Sequence, residues 1–270
     1  MMSNKVIIRQ LATGVPGLDT ILGGGLPEFS FNLLVGPPGS GKTTLAHQLM
    51  FALATRERPA LYFTVLGEPP LKMLRYQQQF AFFNLDQINE SIRFVNLGDD
   101  VAMGHFDQVL ARITQEVESF SPALVFVDSF HTVMLETHRP PDDAISQQQF
   151  IQRLGIQLSG WQATTFLIGE YGSDHNPHPV FTVADGLLLL DQSVHRNSMV
   201  RKMQVLKMRG QATHPGMHTF RITHTGIVVF PAAVVRDDTG ATSKTSESPC
   251  SKVRLAMGVP RLDDMLGGGL

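Results

Sequence analysis

The chain has 270 residues, of which 43% are hydrophobic and 17% are charged, and its formal net charge at pH 7 is −2. This composition is typical of a globular protein and excludes a disordered chain, and the near-neutral charge gives no overall attraction to nucleic acid or anionic membranes. A single cysteine, Cys250, excludes an internal disulfide framework. The sequence has no signal-peptide core and no apolar run of membrane-spanning length, so we expect a cytoplasmic protein.

Five short segments between residues 31 and 169 have the composition of buried parallel strands. They are apolar throughout and rich in β-branched and aromatic residues, as strands covered on both faces must be. Helix-like segments alternate with them, and this alternation predicts βαβ units and a parallel sheet. The predicted strands are Phe31–Gly36, Ala60–Leu66, Ile92–Leu97, Ala123–Asp128 and Thr164–Gly169, and the predicted helices are Thr43–Ala54, Pro69–Phe83, Phe106–Phe120 and Ser146–Trp161.

The pattern changes in the last quarter of this region. The segments Val183–Gln192, Met199–Gly210, Met217–Gly226 and Ile227–Ala232 are separated by turns and contain no helical periodicity. We expect antiparallel strands there, added to one edge of the sheet. The predicted fold class is therefore α/β, with a mostly parallel twisted sheet flanked by helices and antiparallel strands toward its C-terminal edge.

One phrase occurs near both ends of the chain. Leu11–Leu26 reads LATGVPGLDTILGGGL, and Leu255–Leu270 reads LAMGVPRLDDMLGGGL. A repeat at so long a separation indicates a duplicated domain, and a chance match is the alternative. Residues 236–252 are polar and rich in Ser and Thr, which is typical of a linker. We therefore predict a domain over residues 1–235, a linker over 236–252, and the start of a truncated second domain over 253–270.

Residues Gly36–Thr44, GPPGSGKTT, have the form G-x-x-x-x-G-K-[ST] of a phosphate-binding loop. The motif lies between a predicted strand and a predicted helix, as its mechanism requires. Its glycines would let backbone N–H groups turn inward as an anion-binding nest, and the helix would add its dipole. Lys42 would reach the β- and γ-phosphates of ATP, and Thr43 would offer its hydroxyl to Mg²⁺. The alternative is a glycine-rich turn with an exposed lysine. The predicted nucleotide contacts here are Gly36, Gly39, Ser40, Gly41, Lys42, Thr43 and Thr44.

A nucleotide site of this class needs a second acid at the end of a buried strand. Asp128 ends the segment ALVFVD, so Thr43 and Asp128 are the predicted magnesium-binding residues. The alternative role for Asp128 is a cap on the next helix. The histidines elsewhere lack the spacing of a metal site and have no cysteine beside them, so we predict surface-loop side chains. These histidines are His131, His138, His175 and His178.

Six segments together resemble the first ATPase domain of KaiC-type proteins, in the RecA/RadA/KaiC group. The resemblance covers nearly all of residues 11–235 and implies a RecA-like P-loop NTPase fold. It also implies ATP bound with Mg²⁺ between the subunits of a homo-hexameric ring, and a second domain that opens with the repeated phrase. Any serine/threonine autokinase activity would belong to that missing second domain. The segments are Thr13–Pro27, Gly36–Thr44, Leu124–Phe130, Ala163–Glu170, Lys207–Gly210 and Thr219–Pro231.

The same resemblance implies roles for polar residues outside the loop. Lys207 and Arg209 would face the γ-phosphate held by the neighbouring subunit, and Thr223 matches a further nucleotide contact. A solvated basic face is the alternative for the Lys207–Arg209 pair. Glu170 matches a family acid that would lie near the γ-phosphate, and a plain strand-end acid is the alternative there.

The sequence departs from the family at the catalytic acids. The family has paired glutamates after a threonine at the end of the second strand, and alignment on Thr64 and Pro69 places Leu66 and Gly67 there. Glu68 is the only acid in this run, and Pro69 favours an extended Glu68 on the face of Leu66. We therefore predict slow ATP hydrolysis. The predicted catalytic residues are Glu68, Lys42 and Arg209.

Three functions follow from these observations. The first is a regulatory ATPase in clock-like or stress-related signalling, which assembles with itself and binds regulatory proteins. The second is a nucleotide-dependent assembly module whose hydrolysis is largely lost. The third is a DNA-handling recombinase relative, but the loop Tyr171–Pro179, where such relatives contact DNA, has no Lys or Arg. We expect no membrane partner and no nucleic acid.

Overall fold

The structure, a computed structural model, describes residues 8–64, 70–102, 106–129, 153–157, 160–170 and 180–233. The chain divides into two units, residues 1–234 and 235–270, and every described residue lies in the first. The predicted linker over 236–252 and the predicted domain start over 253–270 lie outside the described residues, as does Cys250. They stay predictions.

A sheet of nine described strands is the centre of this unit, and a separate pair, β1 (Gln10–Leu11) and β2 (Leu26–Pro27), lies near the N-terminus. In the large sheet the order is β11-β10-β9-β8-β3-β7-β6-β4-β5. Strands β3 to β8 run parallel to one another, while β9, β10 and β11 each pair with their neighbours in antiparallel fashion. This confirms the predicted α/β fold class with an antiparallel C-terminal edge. The strands are β3 (Phe31–Gly36), β4 (Ala60–Thr64), β5 (Ile92–Asn96), β6 (Leu124–Asp128), β7 (Thr164–Glu170), β8 (Gly186–His195), β9 (Ser198–Met208), β10 (His218–Thr223) and β11 (Gly226–Phe230).

Helices connect the parallel strands, as the βαβ pattern requires. None of the helices within the described ranges has the length and apolar composition needed to cross a bilayer. Residues 153–157, inside the predicted helix Ser146–Trp161, are also helical. The helices are α1 (Leu18–Leu22), α2 (Lys42–Leu53), α3 (Pro70–Gln77), α4 (Gly98–Ala102), α5 (Phe106–Phe120) and α6 (Val180–Val183).

The helix predicted over Pro69–Phe83 is wrong in its second half, because α3 ends at Gln77. The segment that follows instead makes tertiary contacts. The backbone N–H of Ala81 donates to the carbonyl of His224 at 2.8 Å, and the ring centroid of Phe83 lies 5.1 Å from that of Phe51. These contacts override the local helical pattern.

Apolar residues cover both faces of the large sheet. Successive residues of one strand face opposite sides, so that Tyr62 belongs to one cluster and Phe63 to the other. Full burial of a large apolar side chain stabilises the fold by about 1.5–3 kcal/mol. The cluster on the α2 face includes Leu45, Leu49, Phe126 and Phe166, and the cluster on the α5 face includes Val109, Ile113, Val127 and Leu167.

The carboxyl ends of β3, β7 and β6 lie side by side, because these three strands are neighbours in the sheet. Gly36, the last residue of β3, lies opposite Glu170 of β7, and Asp128 of β6 lies opposite Ile168 of β7. In open α/β sheets, ligands bind outside the carboxyl ends of the parallel strands. The predicted phosphate loop and the predicted metal-binding acid therefore open on the same side.

Candidate functional site

The loop between β3 and α2 needs glycine at both of its ends. A Cβ on Gly36 would overlap the carbonyl oxygen of Leu190 on the neighbouring strand β8. Gly41 has φ +101°, a value that L side chains rarely adopt, and a Cβ there would lie 3.0 Å from Cδ1 of Ile222. The backbone therefore turns sharply and closely against the sheet edge, as a phosphate-binding loop does.

The N-terminus of helix α2 adjoins this loop, and neither a capping side chain nor an acidic residue of its first turn offsets its partial positive charge. Gly41 caps the helix without a side-chain hydrogen bond, and the first turn contains no acidic residue. The first N–H groups of a helix have no partner inside the helix, and its dipole places partial positive charge there. This end of α2 is thus suited to an anion. Thr44, also in the first turn, is half-buried.

Lys42 lies inside the loop with only 8% of its surface exposed. Its Nζ donates to the carbonyl oxygens of Gly36 and Pro37, each at 2.9 Å. Burial lowers the pKa of Lys42, while the charges of Glu170 and Asp128 act in the opposite direction and favour the ammonium form. The loop therefore holds a poorly hydrated cation next to its own backbone.

Asp128 receives two hydrogen bonds at the same carboxylate oxygen. Thr43 Oγ1 donates to Oδ2 at 2.7 Å, and the hydroxyl of Tyr62 donates to Oδ2 at 2.8 Å. Burial raises the pKa of the Asp128 carboxyl, and the two hydrogen bonds and Lys42 oppose that shift. Burial also raises the pKa of Tyr62 well above its ordinary value, which keeps the phenol protonated and able to donate. The structure thus brings Thr43 and Asp128 together.

The donor set fits Mg²⁺ bound to a nucleotide. Mg²⁺ prefers oxygen ligands and commonly takes one or two protein side chains together with phosphate oxygens and water. Thr43 and Asp128 supply a hydroxyl and a carboxylate, and the buried Oγ of Ser40 in the loop has no hydrogen-bond partner among the described residues. In the described part of the chain, no cluster of three or more His, Cys, Asp or Glu could hold a metal by itself. The residues suit a metal–phosphate complex better than a bare ion.

Lys207 and Arg209 lie together beside the end of α6. Lys207 Nζ donates to the carbonyls of Phe181 and Thr182, each at 3.1 Å. Arg209 donates to Oδ1 of Asp185 at 3.0 Å and to the carbonyl of Thr182 at 3.2 Å. The two side chains share the carbonyl of Thr182 as an acceptor, although Lys207 lies in β9 and Arg209 follows it in a turn.

These two cations lie at the opposite end of the sheet from the phosphate loop. Lys207 pairs with Leu187 of β8, which pairs with Leu33 of β3, three residues before Gly36. At about 3.3 Å per residue, this places the backbone of Lys207 about 10 Å from the start of the loop, in the direction of the amino end of β3. Partial burial and the charge of Arg209 lower the pKa of Lys207, and Asp185 opposes the shift. The pair is not part of the loop site of its own chain.

Thr223, in contrast, lies at the end of the sheet that carries the loop. It begins the turn between β10 and β11, where its Oγ1 donates to the carbonyl of Gly226 at 3.0 Å. The preceding residue, Ile222, approaches Gly41 at the start of α2. Of Lys207, Arg209 and Thr223, only Thr223 lies on the loop's side.

Several predicted site residues lie outside the described residues. They are Glu68 with its neighbours Leu66 and Gly67, the loop Tyr171–Pro179, and the histidines His131, His138, His175 and His178. Glu170 is described, and it ends β7 as an exposed residue opposite Gly36.

Sequence reasoning missed three polar contacts of the site. Tyr62 supports Asp128, Asp185 holds Arg209, and Gln192 Nε2 donates to the carbonyl of Pro38 in the loop at 2.8 Å. A phenol hydroxyl in the middle of the mostly apolar strand ALYFT was a usable signal for Tyr62. Nothing local distinguishes Gln192, within β8, or Asp185, just before β8, from other polar residues in and beside strands.

Comparison with known proteins identifies the family of the chain. The family model of the KaiC ATPase matches residues 11–234. The circadian clock oscillator protein KaiC of Parasynechococcus marenigrum is 30% identical over 281 residues, covering 99% of this chain and 52% of that protein. KaiC 1 of Synechocystis sp. is 29% identical, covering 97% of this chain and 50% of that protein. The chain thus spans about half the length of the curated relatives it matches.

A solved structure shares the fold. The crystal structure of a KaiC-like protein from the hyperthermophilic archaeon Pyrococcus horikoshii OT3 matches with a TM-score of 0.71 at 24% identity. The match covers 83% of this chain and 100% of that chain. The loop geometry, the RecA-type sheet and the family match lead to one assignment: the chain belongs to the KaiC family of ATPases, which bind ATP.

Proposed function

We propose that this chain binds ATP with Mg²⁺ at Gly36–Thr44 and Asp128. One observation carries the proposal: the hydrogen bond between Thr43 and Asp128, made beside Lys42 inside the loop. The hydroxyl and carboxylate would hold the metal, while Lys42 and the loop N–H groups would bind the phosphates. Bound Mg²⁺ would neutralise charge on the transferred phosphoryl group.

We propose that hydrolysis is slow and depends on Glu68. Chemistry at this site needs a base or a group that orients the attacking water, and Leu66 and Gly67 can do neither. Those same two residues favour a second candidate, a nucleotide-bound assembly module that has largely lost hydrolysis. A measurable turnover that disappears in Glu68→Gln distinguishes the first candidate from the second.

We propose further that copies of the chain assemble into a hexameric ring with nucleotide between neighbours. The support is geometric: Lys207 and Arg209 lie at the opposite end of the sheet from their own loop. If these cations contact a nucleotide, that nucleotide is held by another copy. An arginine supplied across an interface stabilises the charge of the transition state.

The proposed physiological role is regulatory, in clock-like or stress-related signalling through protein partners. Its support is that the relatives covered by the match are circadian clock oscillator proteins. A DNA-handling role has less support, since the net charge of −2 gives no attraction to nucleic acid. Serine/threonine autokinase activity is proposed only for a second domain of the whole protein.

Calorimetric titration of ATP in the presence of Mg²⁺ tests the binding proposal. The parent protein should bind ATP, and Lys42→Ala should abolish detectable binding because it removes the cation held in the loop. Lys202→Ala, a change at an exposed lysine on β9, is the matched control and should bind like the parent. Equal affinity of Lys42→Ala and the parent would refute the assignment of the site.

A further inference from the structure

Tyr62 is a buried phenol that points at the acid proposed to hold the metal. Its hydroxyl donates to Oδ2 of Asp128 at 2.8 Å, and none of its surface is exposed. It lies on β4 opposite Phe126 of β6, so Asp128, two residues further along β6, is its diagonal neighbour on the same face. A diagonal neighbour in a sheet is within reach of an aromatic side chain.

The position of the phenol is fixed by rings packed around it. The centroid of the Tyr62 ring lies 4.7 Å from His47, 5.3 Å from Phe94 and 5.8 Å from Phe126, the last in a stacked arrangement. The hydroxyl therefore cannot follow a movement of Asp128, and instead defines where the carboxylate lies. Packing that locks the rotamer of a supporting side chain is what holds a ligand group in its working geometry.

Both donors to Asp128 use the same carboxylate oxygen, which orients the other oxygen. Thr43 and Tyr62 each donate to Oδ2, so that Oδ1 takes part in neither of these hydrogen bonds. Anchoring Oδ2 from two sides fixes the plane of the carboxylate and so the direction in which Oδ1 is presented. Groups that hold a metal ligand in this way commonly change metal affinity about 10–100-fold when they are removed.

We propose that Tyr62 is a positioning residue for magnesium, which acts by holding the Asp128 carboxylate in the orientation that accepts the metal or its water. The inference rests on the proposed function, since it requires ATP with Mg²⁺ at this site. It assigns to β4 a role that a phenylalanine at the same place could not perform. The ring would fill the core equally well, but only the hydroxyl reaches Oδ2.

Calorimetric titration of ATP into Tyr62→Phe, in EDTA and at stepwise increasing Mg²⁺, tests this role. The half-saturating Mg²⁺ concentration for ATP binding should rise about tenfold or more. Binding in EDTA should equal that of the parent, because Lys42 and the loop are unchanged. An unaltered magnesium requirement in Tyr62→Phe would overturn the positioning role.

Phe51→Leu is the control for packing, since it loosens the same apolar cluster and leaves the rings around Tyr62 and its hydroxyl unchanged. It should lower the unfolding temperature and leave the magnesium requirement closer to that of the parent than Tyr62→Phe does. If Phe51→Leu raises the requirement as much as Tyr62→Phe, the effect comes from general loosening of the core and the inference is wrong. If the parent itself binds ATP with no dependence on Mg²⁺, the metal part of the proposed function fails and the inference fails with it.

Discussion

The two ends of the sheet carry cations in contrasting settings. At the carboxyl end of β3, Lys42 is 8% exposed and lies among the loop carbonyls, with Asp128 and Glu170 near enough to favour its charge. At the other end, the Arg209 side chain is 57% exposed and its acid partner, Asp185, is 30% exposed. The first cation is enclosed by its own chain, and the second is presented at the surface.

This contrast indicates two ways of completing a site. Lys42, Thr43 and Asp128 contact or influence one another within one chain, so their geometry needs no other copy. Lys207 and Arg209 are held in place by carbonyls of α6 and by Asp185, yet they have no phosphate-binding loop beside them. We therefore expect a substitution in the loop to impair nucleotide binding within each chain separately. A substitution of Lys207 or Arg209 should instead impair the contact between chains.

The largest effect is expected from Glu68→Gln, which tests whether the loop end also supplies the chemistry. Loss of general-base assistance should lower the rate of ATP hydrolysis by about 10²–10⁴-fold, with ATP affinity unchanged. Steady-state phosphate release and calorimetric binding measure the two quantities. ATP turnover by Glu68→Gln at the parent rate would show that Glu68 has no catalytic role. A parent protein without turnover would favour the nucleotide-bound assembly module.

The pH dependence of folding stability tests the contribution of a buried histidine on α2, the helix that follows the loop. His47 on α2 is fully buried against Tyr62, and burial lowers its pKa from 6.5 to about 4. The folded state therefore binds fewer protons than the unfolded state between these values, so its stability is greatest above pH 6.5 and declines as the pH falls toward 4. Between pH 6.5 and 4 the free energy of unfolding should fall by about 3 kcal/mol in total through this histidine.

Urea unfolding at a series of pH values measures this decline. His47→Leu should give a flatter dependence between pH 6.5 and 4, because it removes the group that is protonated on unfolding. His195→Leu, at the exposed end of β8, is the matched control and should keep the slope of the parent. An equal slope in His47→Leu and the parent would contradict the role assigned to His47.

The smallest expected effect is at the basic pair. Arg209→Ala should weaken nucleotide-dependent assembly by about tenfold, the value of one charge-assisted hydrogen bond, while binding by the loop within each chain persists. Light scattering with a non-hydrolysable ATP analogue measures the assembly. Arg112→Ala removes a half-exposed arginine paired with Glu116 at 2.9 Å and should assemble like the parent. Identical assembly of the two variants, or a parent that stays monomeric with saturating nucleotide, would contradict the proposed contact.

The loop end was predictable because its signals are local. The predicted strand Phe31–Gly36 matches β3, and Asp128 ends β6 as the apolar run ALVFVD indicated. A buried parallel strand must be apolar throughout, and a phosphate loop must place its glycines at fixed spacing, so each leaves a mark on a short stretch of sequence.

What could not be predicted depends on residues distant in sequence. The hydrogen bond from Tyr62 to Asp128 spans 66 positions, and the one from Gln192 to Pro38 spans 154. The early end of α3 has the same cause, since the backbone of Ala81 pairs with His224 in a hairpin far along the chain. A pattern within one segment cannot reveal which distant group it will meet.

The central claim is that Lys42 of one copy and the basic pair Lys207 and Arg209 of a neighbouring copy form one site between them. Mixing Lys42→Ala with Arg209→Ala tests it directly, because an interface between them can join Lys42 of one variant to Arg209 of the other. The control is Arg209→Ala mixed with the double variant Lys42→Ala/Arg209→Ala, in which no Arg209 is present. We predict that ATP turnover in the test mixture exceeds the mean of the two variants measured separately and exceeds that of the control mixture. Turnover equal to that mean would contradict a site shared between chains.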